Sequence, residues 1–148
     1  MKVEANQFTV RTATLADVAA LSRLAGQLGY AATPEEISRR LSAELEDSCH
    51  ALLVAESGGV VIAWMGLAEE RSFLNEPRVE IHGLVVDEAH RGAAIGAKLV
   101  ERAEQWARER GCRAILIRSN VIRERAHRFY ERLGYSTVKS QKVFSKVL

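Results

Sequence analysis

The segment Arg78-Val79-Glu80-Ile81-His82-Gly83-Leu84-Val85-Val86-Asp87 constrains the fold more than any other stretch of this chain. From Val79 to His82 it alternates, with Val79 and Ile81 on one face and Glu80 and His82 on the other. That is the two-residue period of a half-buried strand. After Gly83 the pattern becomes a continuous apolar run. A glycine where the phase breaks is the sequence form of a β-bulge, which bends a strand and leaves backbone groups available to something other than a neighbouring strand. A strand whose second half is buried on both faces has the same periodicity, so the pattern alone does not separate the two.

The residues that follow favour the bulge. Asp87-Glu88-Ala89-His90-Arg91-Gly92-Ala93-Ala94-Ile95-Gly96-Ala97-Lys98-Leu99 leads into a long helix. Small side chains at Gly92, Ala93, Ala94, Gly96 and Ala97 let a ligand approach the backbone closely. A helix N-terminus presents unpaired amides and a positive dipole end, which suits a phosphate, and Arg91 adds a forked cationic donor. The dipole contributes about 0.3–1 kcal/mol, so several amides and one arginine suffice for a diphosphate. Neither GxxxxGK[ST] nor GxGxxG with its downstream acid is present.

Around this centre the periodicity predicts further elements. Phe8 to Thr12 reads as a strand. Thr14 caps an amphipathic helix through Leu15, Val18, Leu21, Leu24, Ala25 and Leu28, which Gly29 ends. Thr33-Pro34-Glu35-Glu36 opens a second helix with an N-cap, a proline at the first position and a capping box. His50–Glu56 and Val60–Ala68 flank Ser57-Gly58-Gly59, a hairpin signal. Arg71 to Pro77 reads as a polar loop. A helix from about Ala94 to Arg110, a strand from Arg113 to Arg118 and a helix from Arg123 to Leu133 follow. The tail from Tyr135 to Val147 reads as a hairpin turning near Ser140 and Gln141. The order β-α-α-β-β-β-α-β-α-β-β predicts a mixed α/β domain, a sheet with antiparallel hairpins and at least one parallel crossover, with helices on its faces.

A chain of 148 residues fits one domain, drawn here as 1–148 with no linker or repeat. With 47% hydrophobic and 27% charged residues it reads as globular rather than disordered. A formal charge of +2 argues against a nucleic-acid partner. Val60 to Ala68 is about half the roughly 20 residues a bilayer span needs, and the N-terminus has no signal-peptide core. Cys49 and Cys112 have no metal-like spacing and read as reduced thiols. His50, His90 and His127 lack partners at ligand spacing and read as structural or surface residues. The expectations are therefore no membrane, no metal and a cytoplasmic location.

Leu84 to Leu99, centred on Arg91-Gly92-Ala93-Ala94-Ile95-Gly96, resembles the acetyl-CoA motif of the GNAT superfamily of N-acetyltransferases, Arg/Gln-x-x-Gly-x-Gly/Ala. Phe129-Tyr130-Glu131-Arg132-Leu133-Gly134-Tyr135 looks like the family's late tyrosine motif, and the element order matches over nearly the whole chain. The resemblance implies a mostly antiparallel sheet with a bulged central strand flanked by about four helices. It also implies an enzyme that moves acetyl from acetyl-CoA to a primary amine by direct attack, and a possible homodimer. A catalytically silent acyl-CoA-binding or sensing module is the alternative. There are two departures: Ala94 stands where the family usually has glycine, and Arg123 where many members carry asparagine, with Asn120 nearby. Alanine at an ordinary helical N-terminal position costs little, and the small neighbours of Ala94 predict that case.

On this resemblance the backbone of Leu84, Val85 and Val86 pairs with pantetheine, and Arg91, Gly92, Ala93, Ala94, Ile95, Gly96 and Ala97 take the pyrophosphate. Asn120 and Tyr130 complete the cofactor side. An alkyl amine with pKa near 10.4 is almost wholly protonated at neutrality, so the site must desolvate it or supply a base. Glu80 or His82, on one face of the strand, takes that proton. Tyr130, a phenol with pKa near 10, donates to the departing thiolate. The acceptor is a small-molecule or peptide amine, flanked as in relatives by the first two helices and the loop Arg71 to Pro77.

Overall fold

Helix starts and stops follow local chemistry. In this computed structural model, residues 7–92 and 94–148 are described. Helix α1 (Val18–Leu28) follows a 3-10 turn at Leu15–Asp17 and ends at Gly29. Helix α2 (Pro34–Glu46) begins at Thr33, whose Oγ1 accepts from the Glu36 amide at 3.2 Å. Strands β1 (Thr9–Thr12), β2 (His50–Ser57), β3 (Val60–Ser72), β4 (Asn75–Val86) and β5 (Ile115–Ile117) form one sheet in sequence order. The first three pairings are antiparallel and β4–β5 is parallel, which requires the crossover that α3 (Ile95–Glu109) provides. Helix α4 (Glu124–Arg132) follows. The chain divides into two compact units, one ending at Ile117 and one running from Arg118 to Leu148.

Two expectations are corrected. Arg71 to Pro77 is not a loop: β3 and β4 run on to a two-residue tip at Phe73-Leu74, with Glu70 opposite Arg78 and Ser72 opposite Asn75. The register slips by one residue there, beside Pro77, which lacks the N–H a regular ladder needs. The tail is not a hairpin. Residues 135–148 have no regular secondary structure, and Val138, Val143, Phe144 and Val147 are exposed. β-Branched composition is only a potential for strand formation, and among the described residues no strand pairs with this segment.

The α1/α2 face of the sheet buries Ala13, Leu21, Leu24, Leu41, Val54, Val61 and Val85 in one cluster, with Trp64 and Leu52 against it. Helix α3 packs against β2, β3 and β4. Its C-terminal Arg110 reaches Glu69, whose side chain is 2% exposed and also pairs with Arg71, at 2.7 and 2.6 Å. Arg110 also donates to the Ser48 carbonyl at 2.7 Å and lies 4.5 Å from the Trp106 ring. A carboxylate buried this deeply costs several kcal/mol unless paired, so Glu69 acts as a staple between β3 and the end of α3.

A second staple fixes the entry to α1. Asp17 accepts from both Nη groups of Arg11 and from the Thr14 amide, each at 2.8 Å, while Arg11 Nε donates to Glu56 at 2.7 Å. The Arg11 guanidinium, first among these, holds the Asp17 carboxyl below the usual aspartate range. A depressed folded pKa contributes stability above the unfolded value, and that contribution is lost as pH falls through the folded one. Asp17→Asn is expected to cost about 1–3 kcal/mol near neutrality. In urea titrations the gap from wild type should narrow as pH drops below about 4; a gap that does not change with pH would refute this role.

Candidate active site

The bulge in β4 is the structural centre of the site. Opposite Gly66 lies Gly83, but opposite Leu67 lies Ile81, so His82 is the extra residue. Cross-strand partners share a face, which makes the consequence traceable. Val85 pairs with Trp64 and belongs to the α1/α2 cluster, whereas Ile81 and Val79 pair with Leu67 and Glu69 on the other face. Odd-numbered residues therefore change sides across the bulge, as the phase break at Gly83 predicted.

Each strand covers a glycine of its neighbour here. A Cβ on Gly83 would lie 2.6 Å from the Trp64 ring, and a Cβ on Gly66 would lie 2.6 Å from the His82 ring. At Gly83 a Cβ would have to displace a ring packed against the core, and at Gly66 the exposed ring of His82. Pairing of β4 with β5 covers only Val79–Ile81. Beyond it, His82 to Val86 has no strand on that side among the described residues. The Asp87 amide donates to the Ile62 carbonyl on the β3 side at 2.8 Å, so by the alternation of an antiparallel ladder Leu84 and Val86 turn their main-chain groups to the open edge, where an extended ligand can pair with them. Val85 between them has its side chain in the core and pairs its main chain with Trp64 of β3.

The loop after β4 is clamped from α1. Asp87 Oδ1 accepts from the Ala89 amide at 3.1 Å and Oδ2 from Arg23 Nη1 at 2.9 Å; Gln27 Oε1 accepts from the Glu88 amide at 3.1 Å. Burial pushes the Asp87 carboxyl up and these hydrogen bonds more than reverse it, so it sits below the usual range. Arg91 and Gly92 are exposed in the following turn. Ala93 lies outside the described residues.

Ala94 corrects the sequence expectation. It holds φ +61° and ψ +19° at the N-cap of α3 and makes no side-chain cap; it is the one non-glycine residue with positive φ among those described. The first intrahelical bond runs from the Lys98 amide to the Ala94 carbonyl, so the amides of Ile95, Gly96 and Ala97 precede the helical ladder and suit an anion. Ile95 has a buried side chain and can offer only its backbone.

Glu80 and His82 both lie on the α1/α2 face, Glu80 opposite Ala68 and His82 over Gly66. His50, which the sequence offered no reason to single out, pairs with Ala68 from the other side; its Nδ1 is 2.9 Å from Asp47 Oδ2, and its ring lies edge-on to His82 with centroids 6.3 Å apart.

In the unit from Arg118 onward, Asn120 is used locally. Its Oδ1 accepts from the Ile122 amide at 3.1 Å and its carbonyl from the Arg123 amide at 3.0 Å. Tyr130 is half-buried on α4, with Phe129 and Tyr135 edge-on at 5.1 and 6.1 Å. Burial pushes its phenol up, so it stays protonated at neutrality.

The αL conformation of Ala94 costs about 1–2 kcal/mol, and the added chain entropy of glycine returns about 0.4–1 kcal/mol. Ala94→Gly should therefore stabilise the fold by about 0.5–1 kcal/mol in urea unfolding. A net loss would show that the loop does not hold this φ.

Comparison with known proteins gives the family and the fold. Residues 18–135 match the profile of the acetyltransferase (GNAT) family. Over 69 residues the chain is 42% identical to the aminoalkylphosphonate N-acetyltransferase of Salmonella typhimurium, a match covering 47% of this chain and 44% of that protein. It spans 30–44% of the length of the curated relatives it matches. The crystal structure of glucosamine-6-phosphate N-acetyltransferase from Arabidopsis thaliana superposes with a TM-score of 0.81 at 26% identity, covering 93% of this chain and 97% of that one. The aminoglycoside N-acetyltransferase AAC(6')-Iy in complex with CoA has the same fold, with a TM-score of 0.86 over 94% of each chain at 17% identity. The chain belongs to the GNAT acetyltransferase family.

Proposed function

We propose that this chain, acting as one domain, transfers acetyl from acetyl-CoA to a primary amine by direct attack. The observation that carries the reading is the bulged β4, which continues past its pairing with β5 and leads through the clamped loop after Val86 to an uncapped helix N-terminus. A pantetheine arm is an extended, amide-bearing chain with a diphosphate beyond it, and this strand edge followed by free amides matches that order of groups.

Acetyl-CoA supplies the activated acyl thioester. The outward main-chain groups of Leu84 and Val86, on either side of Val85, hold the arm. Arg91, Gly92, the adjoining Ala93 and Ala94, and the amides of Ile95, Gly96 and Ala97 hold the diphosphate, with Asn120 contributing from the segment before α4. Glu80 or His82 takes the proton of the incoming ammonium, and the Tyr130 phenol donates to the departing thiolate. Family membership and the named relatives support an amine acceptor. Two free thiols, Cys49 and Cys112, suit the reducing cytoplasm.

Calorimetric titration with acetyl-CoA tests this reading. Saturable one-to-one binding is expected, weakened at least tenfold in the Arg91→Ala, Gly96→Asp double variant, together with thiol release when amines are added. Binding without thiol release for any amine would leave a silent acyl-CoA module, and no binding by folded protein would overturn both.

We also infer a homodimer. Its support is the tail, where Val143, Phe144 and Val147 are 88, 89 and 94% exposed on a segment with strand-like composition. Light scattering should report twice the chain mass, falling to the monomer in Val143→Glu, Phe144→Glu. A monomeric wild type would refute it.

A further inference from the structure

The bulge also builds a shallow trough on the α1/α2 face. Its floor is Gly66 and Ala68 on β3, two of the smallest side chains available. Across the Ala68 row, His50 of β2 stands on one side and Glu80 of β4 on the other. His82, the extra residue, lies over Gly66. The inner end is closed by Trp64 and Leu52 of the core, and the outer end by the Glu70–Arg78 pair at 3.2 Å. Two imidazoles and two carboxylates, Asp47 and Glu80, thus surround a space that large side chains would otherwise fill. Arg110 approaches only the Ser48 carbonyl, and its guanidinium is engaged by Glu69.

The two imidazoles are not equivalent. Asp47 accepts from the Cys49 amide through Oδ1 at 2.9 Å and faces His50 Nδ1 through Oδ2, also at 2.9 Å. This arrangement fixes Nδ1 as the protonated nitrogen and leaves Nε2 as the proton acceptor, with a carboxylate ready to stabilise the imidazolium. Among the described residues His82 has only its ring contact with His50, so nothing sets its tautomer.

We propose that the acceptor ammonium is held in this trough and loses its proton to Nε2 of His50, with Asp47 as the positioning residue. This rests on the acetyl-transfer reading above and makes His50, rather than Glu80 or His82, the base. The proton moves from R–NH3+ to Nε2. The freed lone pair attacks the thioester carbonyl carbon, the C–S bond breaks, the attacking nitrogen gives its second proton to solvent, and the thiolate takes the phenol proton of Tyr130. The imidazolium gives its proton to solvent, from which the phenolate regains its own. The net change is one amide and one free thiol formed, with one proton released. Glu80 supplies the charge that retains the cation, so the substrate class is a primary aliphatic amine that is cationic in solution.

The probes are n-butylamine, which is protonated at neutrality, and 2,2,2-trifluoroethylamine, which is largely neutral there. With saturating acetyl-CoA, His50→Gln should lower kcat/KM for n-butylamine about 100-fold and for trifluoroethylamine less than about threefold, since a neutral amine needs no base. Asp47→Asn should lower kcat with little change in KM. Asp47→Glu should restore most of that kcat, since a carboxylate again orients Nδ1–H. An equal loss with both amines, or no recovery in Asp47→Glu, would overturn the assignment. Imidazole NMR signals give a readout without turnover: n-butylammonium should shift the His50 ring signals in wild type and not in Glu80→Gln. If that shift appears while no thiol is ever released, the trough stands and the transfer reading falls; if no shift appears, the trough is refuted whatever the activity.

Discussion

The exchange of cover between β3 and β4 is the contact on which the rest of the site depends. Trp64 lies over Gly83 and His82 over Gly66, so each strand gives up a side chain where its neighbour places a ring. An inserted residue in a flat ladder leaves an unpaired bend and a loss of packing. Here the two rings fill the space that the glycines vacate, and the kink is held by packing as well as by hydrogen bonds. Everything beyond Gly83 is then turned relative to the strand before it. Val85 reaches the α1/α2 core, and the main chain leaves β5 behind.

Charged groups do the remaining positioning. Arg110 and Glu69 tie the C-terminal end of α3 to the middle of the sheet, while Arg23 and Asp87 tie the loop before α3 to α1. Both ends of α3 are thereby referenced to the same sheet. The Arg23 pair is partly exposed, and such pairs contribute modestly to stability. Its effect is geometric: Asp87 also accepts from the Ala89 amide, so the carboxylate sets the shape of the loop.

Much of this was legible in the residues because it is local. The hairpin at Gly58-Gly59, the stops at Gly29, Gly111 and Gly134, and the phase break at Gly83 each write their geometry into a few adjacent positions. What was missed depends on partners distant in sequence. Glu70 faces Arg78 across a ladder, and a polar run with a proline gives no hint of that. His50 gains meaning only because β2 brings it beside His82, 32 positions away along the chain. The tail failed in the opposite direction, since strand-forming composition cannot supply a partner. Ala94 was misjudged because side-chain size was weighed where the backbone angle decides.

The Arg23–Asp87 and Gln27–Glu88 contacts have a thermodynamic consequence of their own. They make the shape of the anion loop and the docking of α1 parts of one equilibrium. Linkage is reciprocal: an anion that favours the bound loop shape must tighten α1 by the same free energy with which a firmly docked α1 favours the anion. A molecule resting on the exposed side of α1 would then change affinity at a loop it never touches, and occupancy of that loop would be felt in turn as a change in how strongly α1 resists opening.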